Sequence, residues 1–371
     1  MAVTKIEWTA TRLPEGYAVN FGGELTSTLP GYTFNPWWGC MKVSRACKRC
    51  YAEYLSDHRM KNNLWGPNST RRLFGKKHWD KPKQWNKLAE SLGVRLKVFC
   101  ASMADVFEDH PDVIEARKQL WTLIEETPHL DWLLLTKRPE NILWMLPHEW
   151  VPSVAIQTDE KGKVTKAYVV EHAGATRIPA NIWFGATTED QATYDERVLH
   201  LMRVPAKVRF LSIEPQAGPI HLHFAPANDS YNDRRFGLNL HHRISWVING
   251  GESGKEAEPS HPDWFRSVRD QCKRYGVPYF FKQWGEWAPS ADYKGEGTPL
   301  LKNRERLDSN GKLHGVHGMM ITPTPPNLVG MYKVGKKAAG RTLDGQGHNA
   351  MPNSFLTLKA PHPAWTSLSP A

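Results

Sequence analysis

Seven short apolar runs recur along the chain, and a compact polar cluster follows each of them. The runs are Tyr32–Trp37, Leu96–Ala101, Trp132–Leu135, Ile182–Ala186, Val208–Ile213, Trp246–Asn249 and Tyr279–Phe281. Several are apolar almost throughout, the pattern of strands covered on both faces. Amphipathic stretches separate them. The expected helices are Cys47–Met60, Pro111–Glu126, Pro139–Met145, Asp190–Met202 and His261–Tyr275, the fourth with capping residues around Thr187, Glu189 and Asp190. Strand–helix alternation implies right-handed crossovers and a parallel sheet. The expected fold class is therefore α/β, a partial or full parallel β/α barrel of the TIM type.

In such a barrel the carboxyl ends of the strands converge on one face, where active sites are built. The first run leads to Gly39 and Cys40, and the second to Ser102, Met103, Ala104 and Asp105. Lys137 and Arg138 follow the third, a cation pair suited to clamping a phosphate or a carboxylate. Glu189 follows the fourth. Glu214 follows the fifth, with Pro215 holding its backbone extended. After the sixth come Gly250, Gly251 and Glu252. Adjacent glycines suit either an anion-binding nest or a tight turn. Lys282 follows the seventh, and it and Glu214 are the candidate catalytic pair.

Residues 1–290 are expected to form the barrel, with a cysteine loop at 40–50 and an inserted hairpin at 153–180 around Glu160–Lys163. Pro226–His242 reads as a surface loop. Residues 291–371 are basic and rich in Gly and Pro, and read as a mostly irregular extension that wraps the barrel or its ligand. No apolar run is long enough to span a membrane, and the first sixteen residues lack the pattern of a signal peptide. The five cysteines are odd in number, and three fall within eleven residues. That usage argues against a disulfide scaffold and for a reducing, cytoplasmic setting.

The net charge of +10 is concentrated. Between Lys42 and Lys97 stand fifteen Lys and Arg against four Asp and Glu. Tyr51, Tyr54, Trp65, Phe74, Trp79 and Trp85 are interleaved with them. Cations neutralise phosphates and aromatic faces stack on bases, so a nucleic acid or nucleotide is the expected partner. Arg71, Arg72, Lys76, Lys77 and Trp79 are the candidate contacts. A solvated basic face with its rings turned inward is the other reading.

The most specific pattern is Cys40-x6-Cys47-x2-Cys50. Thiolates bind iron–sulfur clusters and zinc. A [4Fe–4S] cluster with three protein ligands keeps one iron open to a substrate. Structural zinc wants four ligands, and His58 is poorly spaced to be the fourth. The alternatives are thus an iron–sulfur enzyme, a zinc-stabilised nucleic-acid-binding protein, or plain core cysteines. Cys100 and Cys272 read as packing residues.

A strand, a three-cysteine loop and a helix in that order resemble the radical S-adenosylmethionine (SAM) superfamily. More closely, Thr4–Trp287 is similar to an uncharacterised phage and prophage family. Its landmarks are Thr4–Thr9, Asn35–Cys40, Cys50–Glu53, Leu135–Pro139, Ser212–Pro215, Gly250–Gly254 and Phe281–Gly285. The superfamily resemblance implies a partial barrel, a [4Fe–4S] cluster on Cys40, Cys47 and Cys50, SAM at the open iron, and an external electron donor. The implied chemistry is a 5′-deoxyadenosyl radical that abstracts hydrogen, here to modify or repair a nucleic acid or nucleotide. The superfamily's first cysteine spacing is three residues, against six here. Its glycine–glycine–glutamate motif follows the second strand, where this chain has Ser102–Asp105, so Asp105 is the candidate substitute for the SAM amino contact. Ser102, Lys137, Arg138, Glu189, Gly250, Gly251 and Glu252 complete the candidate cofactor contacts.

Overall fold

All seven expected strands form, and they pair in chain order into a single parallel sheet. They are β1 (Tyr32–Phe34), β2 (Leu96–Cys100), β3 (Leu130–Thr136), β4 (Ile182–Thr187), β5 (Val208–Ile213), β6 (Trp246–Gly250) and β7 (Tyr279–Gln283). This computed structural model describes residues 3–151, 154–160, 164–169, 177–223, 232–233, 238–239, 244–289, 304–314, 328–352 and 362–367. Among them β1 and β7 do not pair, so the sheet curls into a half-barrel and the barrel is partial.

Successive side chains of a strand point to opposite faces, which sorts the apolar residues into two cores. One face carries Phe34, Val98, Leu134, Phe184, Leu211 and Phe281 against the helices. These are α1 (Lys81–Ser91), α2 (Ile114–Glu125), α3 (Gln191–Met202) and α4 (Pro262–Tyr275). The inner, concave face is filled by Phe99, Leu133, Trp183, Phe210, Trp246, Ile248 and Phe280. Burying each such side chain contributes about 1.5–3 kcal/mol, so the interior is a packed plug and not a pore. Gly185 leaves room for it, since a Cβ there would stand 2.3 Å from the Phe210 ring.

The open seam is covered by both ends of the chain. A 3-10 turn at Glu7–Thr9 sets Trp8 edge-on to Phe99 at 4.7 Å and to Trp246 at 6.2 Å. From the other end, His348 accepts the Phe281 N–H at 2.9 Å and the Ala350 N–H donates to Tyr279. The Trp246 indole donates to the Ala350 carbonyl at 2.9 Å, and Arg341 forms an ion pair with Glu7.

The inserted hairpin is present as Val154–Thr158 paired antiparallel to Val164–Val169. Most of Pro226–His242 lies outside the described residues; Asn232–Asp233 and Leu238–Asn239 form a short ladder. The extension carries short strands. Its strands Arg304–Leu307, Leu313–His314 and Val329–Lys333 share one sheet with Trp287–Pro289, so a boundary at 290 runs through that sheet. Ala257, Trp264, Trp287, Leu307 and Met331 form its core. Cys47–Met60 also differs: a 3-10 turn (Arg45–Arg49), an α turn (Tyr51–Glu53) and a π turn (Tyr54–Arg59) replace one helix, broken where Cys50 adopts ψ 117°. The unexpected α1 begins at a Pro-containing first turn and buries Trp85 and Ala89, four residues apart. Among the described residues no helix is long and apolar enough to cross a membrane.

Candidate functional site

A cavity of about 150 Å³ opens at the carboxyl ends of β2, β3 and β4. Cys40, Cys47 and Cys50 line one side of it. Ser102, Asp105, Lys137, Arg138 and Thr187 line the other. The expected convergence of strand ends is thus present for these residues.

The cysteine loop is fixed from below by residues far apart in sequence. Trp37–Trp38 pairs with Arg72–Leu73, and Gly39 follows with φ +112°, where a Cβ would strike Leu64 O at 2.6 Å. Under that turn lies Arg71, whose side chain has 0% exposure. It donates to both oxygens of Glu108 at 2.9 Å and to the carbonyls of Leu64, Gly66 and Ser69. Arg71 therefore holds the loop in shape and cannot meet a phosphate, a correction to its expected role. Trp79 is corrected likewise. It is 5% exposed, packs edge-on to Phe34 at 5.3 Å and donates its indole N–H to Phe74 O.

Carboxylates from the barrel rim tie the loop down from above. Ser44 donates to Glu189 Oε1 at 2.8 Å, and Glu189 is also paired with Arg197. Arg49 reaches Glu252 at 3.3 Å and Glu258 at 3.0 Å. Tyr51 donates its hydroxyl to Ser102 O at 2.6 Å. Glu189 and Glu252 are thus latches on the loop. Gly250 and Gly251 serve backbone proximity: a Cβ on Gly251 would stand 2.0 Å from Trp284 O. Gly250 ends β6 and neither glycine has a positive φ, so neither makes a tight turn.

Asp105 is saturated. One oxygen accepts from Phe107 N at 3.0 Å and Thr136 Oγ1 at 2.7 Å. The other accepts from Lys137 N at 3.1 Å and Arg138 Nη1 at 2.9 Å. A carboxylate has about four lone-pair sites, so none is left for a ligand's amino group. The expectation that Asp105 binds one is corrected: it aims Arg138, whose Nη1 stands 3.7 Å from Cys40 Sγ and whose Nη2 donates to Met41 O at 2.6 Å.

The sulfurs differ in their surroundings. Burial pushes the Cys40 thiol up to about 12, against the pull of the Arg138 charge. Burial also opposes ionisation of Cys47, but the Lys137 charge and hydrogen bonds from Val43 and Ser44 outweigh it and bring its pKa below the ordinary value. A tetrahedral zinc ion with Zn–S bonds of about 2.3 Å draws its sulfurs to within about 3.8 Å of one another. No three His, Cys, Asp or Glu side chains among the described residues converge so that they could hold one ion. Cys40, Cys47 and Cys50 nevertheless line one cavity, and a [4Fe–4S] cluster would take each thiolate on a different iron. Cys100 and Cys272 are buried in β2 and α4 and take no part.

The model of a protein family of unknown function, DUF5131, matches residues 27–352. The chain belongs to the DUF5131 family. No curated protein and no solved structure matches it.

In this DUF5131 chain a second polar group lies at the ends of β5, β6 and β7. Lys282 Nζ donates to Glu214 Oε2 at 2.7 Å, and Gln283 donates to Glu214 Oε1 at 3.0 Å and to Ser253 Oγ at 2.9 Å. The two candidate catalytic residues are thus in contact, although neither lines the cysteine cavity. Of the expected nucleic-acid contacts, Arg72, Lys76 and Lys77 are exposed; Lys76 is paired with Asp80 at 2.8 Å. Sequence reading missed Asn35, whose amide holds Ser102 and accepts the Met103 N–H at 2.7 Å. Its signal was a polar residue at the end of the first strand, the position that marks the rim elsewhere.

Proposed function

We propose that this chain is a radical SAM-like iron–sulfur enzyme that modifies or repairs a nucleic acid or nucleotide. The observation that carries the reading is three cysteines around one cavity at the carboxyl ends of a parallel half-barrel. Cys40, Cys47 and Cys50 would hold the cluster, with an external donor supplying electrons. When bound and reduced, such a cluster supplies the electron that cleaves SAM to methionine and a 5′-deoxyadenosyl radical, which abstracts hydrogen.

The chain's own residues have separable tasks in this reading. Arg138 orients Cys40 and offsets thiolate charge, and Asp105 keeps Arg138 aimed. Lys137 supplies a cation at the cavity wall suited to a carboxylate, with Ser102 and Thr187 beside it as hydroxyl partners. Lys282 donates to Glu214 across 2.7 Å, and the two are the pair positioned to deliver or accept a proton at the rim.

The test is anaerobic purification with iron, sulfide and zinc assays, followed by reduction with dithionite and a SAM-cleavage assay. About four irons per chain and formation of 5′-deoxyadenosine support the reading. Stoichiometric zinc without iron overturns it in favour of a zinc-stabilised nucleic-acid-binding protein.

A further inference from the structure

Nine large hydrophobic side chains are exposed among the described residues, and five of them fall within residues 43–73: Val43, Tyr51, Tyr54, Met60 and Leu73. Scattered exposed apolar residues are ordinary, but here more than half fall on one segment. This segment carries the cysteine loop. Tyr51, 61% exposed, lines the cavity, and its hydroxyl is tied to Ser102 O, which fixes the ring at the mouth. Tyr54, 60% exposed, follows three residues later and lies against His58 with ring centroids 5.7 Å apart. Two residues before Cys40, Trp38 is covered by the Arg72 guanidinium at 5.2 Å, which also lies 5.5 Å from the Phe74 ring.

The same stretch of chain carries exposed cations. Lys48, Arg59, Lys61, Arg72 and Lys77 are exposed and form no ion pair among the described residues. The nearby carboxylates are committed. Glu53 pairs with Lys42 at 2.8 Å, and Asp57 accepts the Leu64 and Trp65 N–H groups at 2.9 Å each.

We infer that this face docks single-stranded nucleic acid, with an unpaired base stacked on Tyr54 and the strand leading past Tyr51 into the cavity. The inference rests on the proposed function and specifies the form of its substrate. Phosphates find the free cations, and flat rings held in place find base faces. A duplex hides its base faces inside the stack, so exposed tyrosines gain nothing from it. A lipid surface would attract the same cations, but a bilayer cannot enter a recessed cavity, whereas a strand can deliver one base to it.

The experiment is fluorescence anisotropy with a labelled oligothymidylate, the matching oligouridylate and a duplex, using the full chain and its variants. Tyr54→Ala should weaken single-strand binding by about 5- to 150-fold, the span for loss of one stacked base. Tyr54→Phe should restore it, and the Arg59→Ala/Lys61→Ala variant should flatten the salt dependence. Tighter binding of either oligonucleotide supports the inference and identifies DNA or RNA as the source. Duplex bound as tightly as single strands, Tyr54→Ala without effect, or cosedimentation with phosphatidylserine vesicles in place of oligonucleotide binding would overturn it. Iron and sulfide assays on the same samples separate the two readings. A full cluster without oligonucleotide binding removes the docking surface alone, and binding without iron removes the radical chemistry alone.

Discussion

Arg71 and Glu108 form a bidentate ion pair with no side-chain exposure, directly beneath the turn that presents Cys40. Breaking a buried pair leaves a charge without compensation, at about 3–5 kcal/mol. Arg71→Ala or Glu108→Ala should each lower unfolding free energy by that order in urea titrations. Neither loss should be a simple change in salt-dependent binding, because Arg71 does not reach the surface.

The three loop cysteines should separate from the other two by metal content. Cys40→Ala, Cys47→Ala or Cys50→Ala should each abolish stoichiometric iron, while Cys272→Ala, buried in α4, should retain it. Inductively coupled plasma measurement on anaerobic protein checks this. Retention of full iron by Cys47→Ala would remove that residue from the ligand set.

The loop latches should govern how firmly any bound metal is kept. Arg49 is the link to Glu252 and Glu258. Arg49→Ala should accelerate iron loss to a chelator several-fold while leaving the starting iron content near that of the unaltered protein. An unchanged rate would mean that the latch does not restrain the loop.

Lys97 gives a pH signature unrelated to the cavity. It is fully buried at the floor of the concave face, donates to Ala10 O at 3.0 Å, and burial brings its pKa down to about 8 from 10.5, against the pull of Asp131. Below pH 8 the folded and unfolded chains both carry this proton. Between about 8 and 10.5 only the unfolded chain does, so this group's contribution to stability rises with pH in that window, by at most about 1.4 kcal/mol per unit. Urea titrations of the unaltered chain and Lys97→Met should show the difference between them shrinking from pH 8 to pH 10, with the variant the more stable at pH 7.

Close backbone approach gives the last test. Gly251→Ala would drive a Cβ to 2.0 Å from the Trp284 carbonyl, so the ends of β6 and β7 must part. A loss of about 1–3 kcal/mol is expected, whereas Gly254→Ala, with open space around it but φ +119°, should cost less.

The strands were legible because each is a continuous apolar run, and burial on both faces leaves no other way to satisfy it. Val208–Ile213 matches residue for residue, and Trp132–Leu135 extends by two residues and one to Leu130–Thr136. The cysteines were legible as a spacing. What the sequence could not reveal is which charges turn inward. Arg71 and Arg72 are neighbours in one basic run, yet alternation along a short strand-like segment sends the first to Glu108 and leaves the second in solvent. Asp105 read as a free carboxylate because its four donors come from segments up to 33 residues away. Trp79 read as a stacking residue because its cationic neighbours obscured the apolar face that it shares with Phe34.

The ion pair between Glu7 and Arg341 joins residues more than three hundred positions apart across the barrel seam. Synthesis proceeds from the amino end, so Trp8 reaches Phe99 early, but the edge of β7 waits for His348 and Ala350. The last wall of the interior is therefore laid only after His348 and Ala350 have left the ribosome. Shortening the chain ahead of Arg341 would leave Phe280 and Trp246 facing water, and such a product should be recovered as aggregate and not as a smaller folded protein.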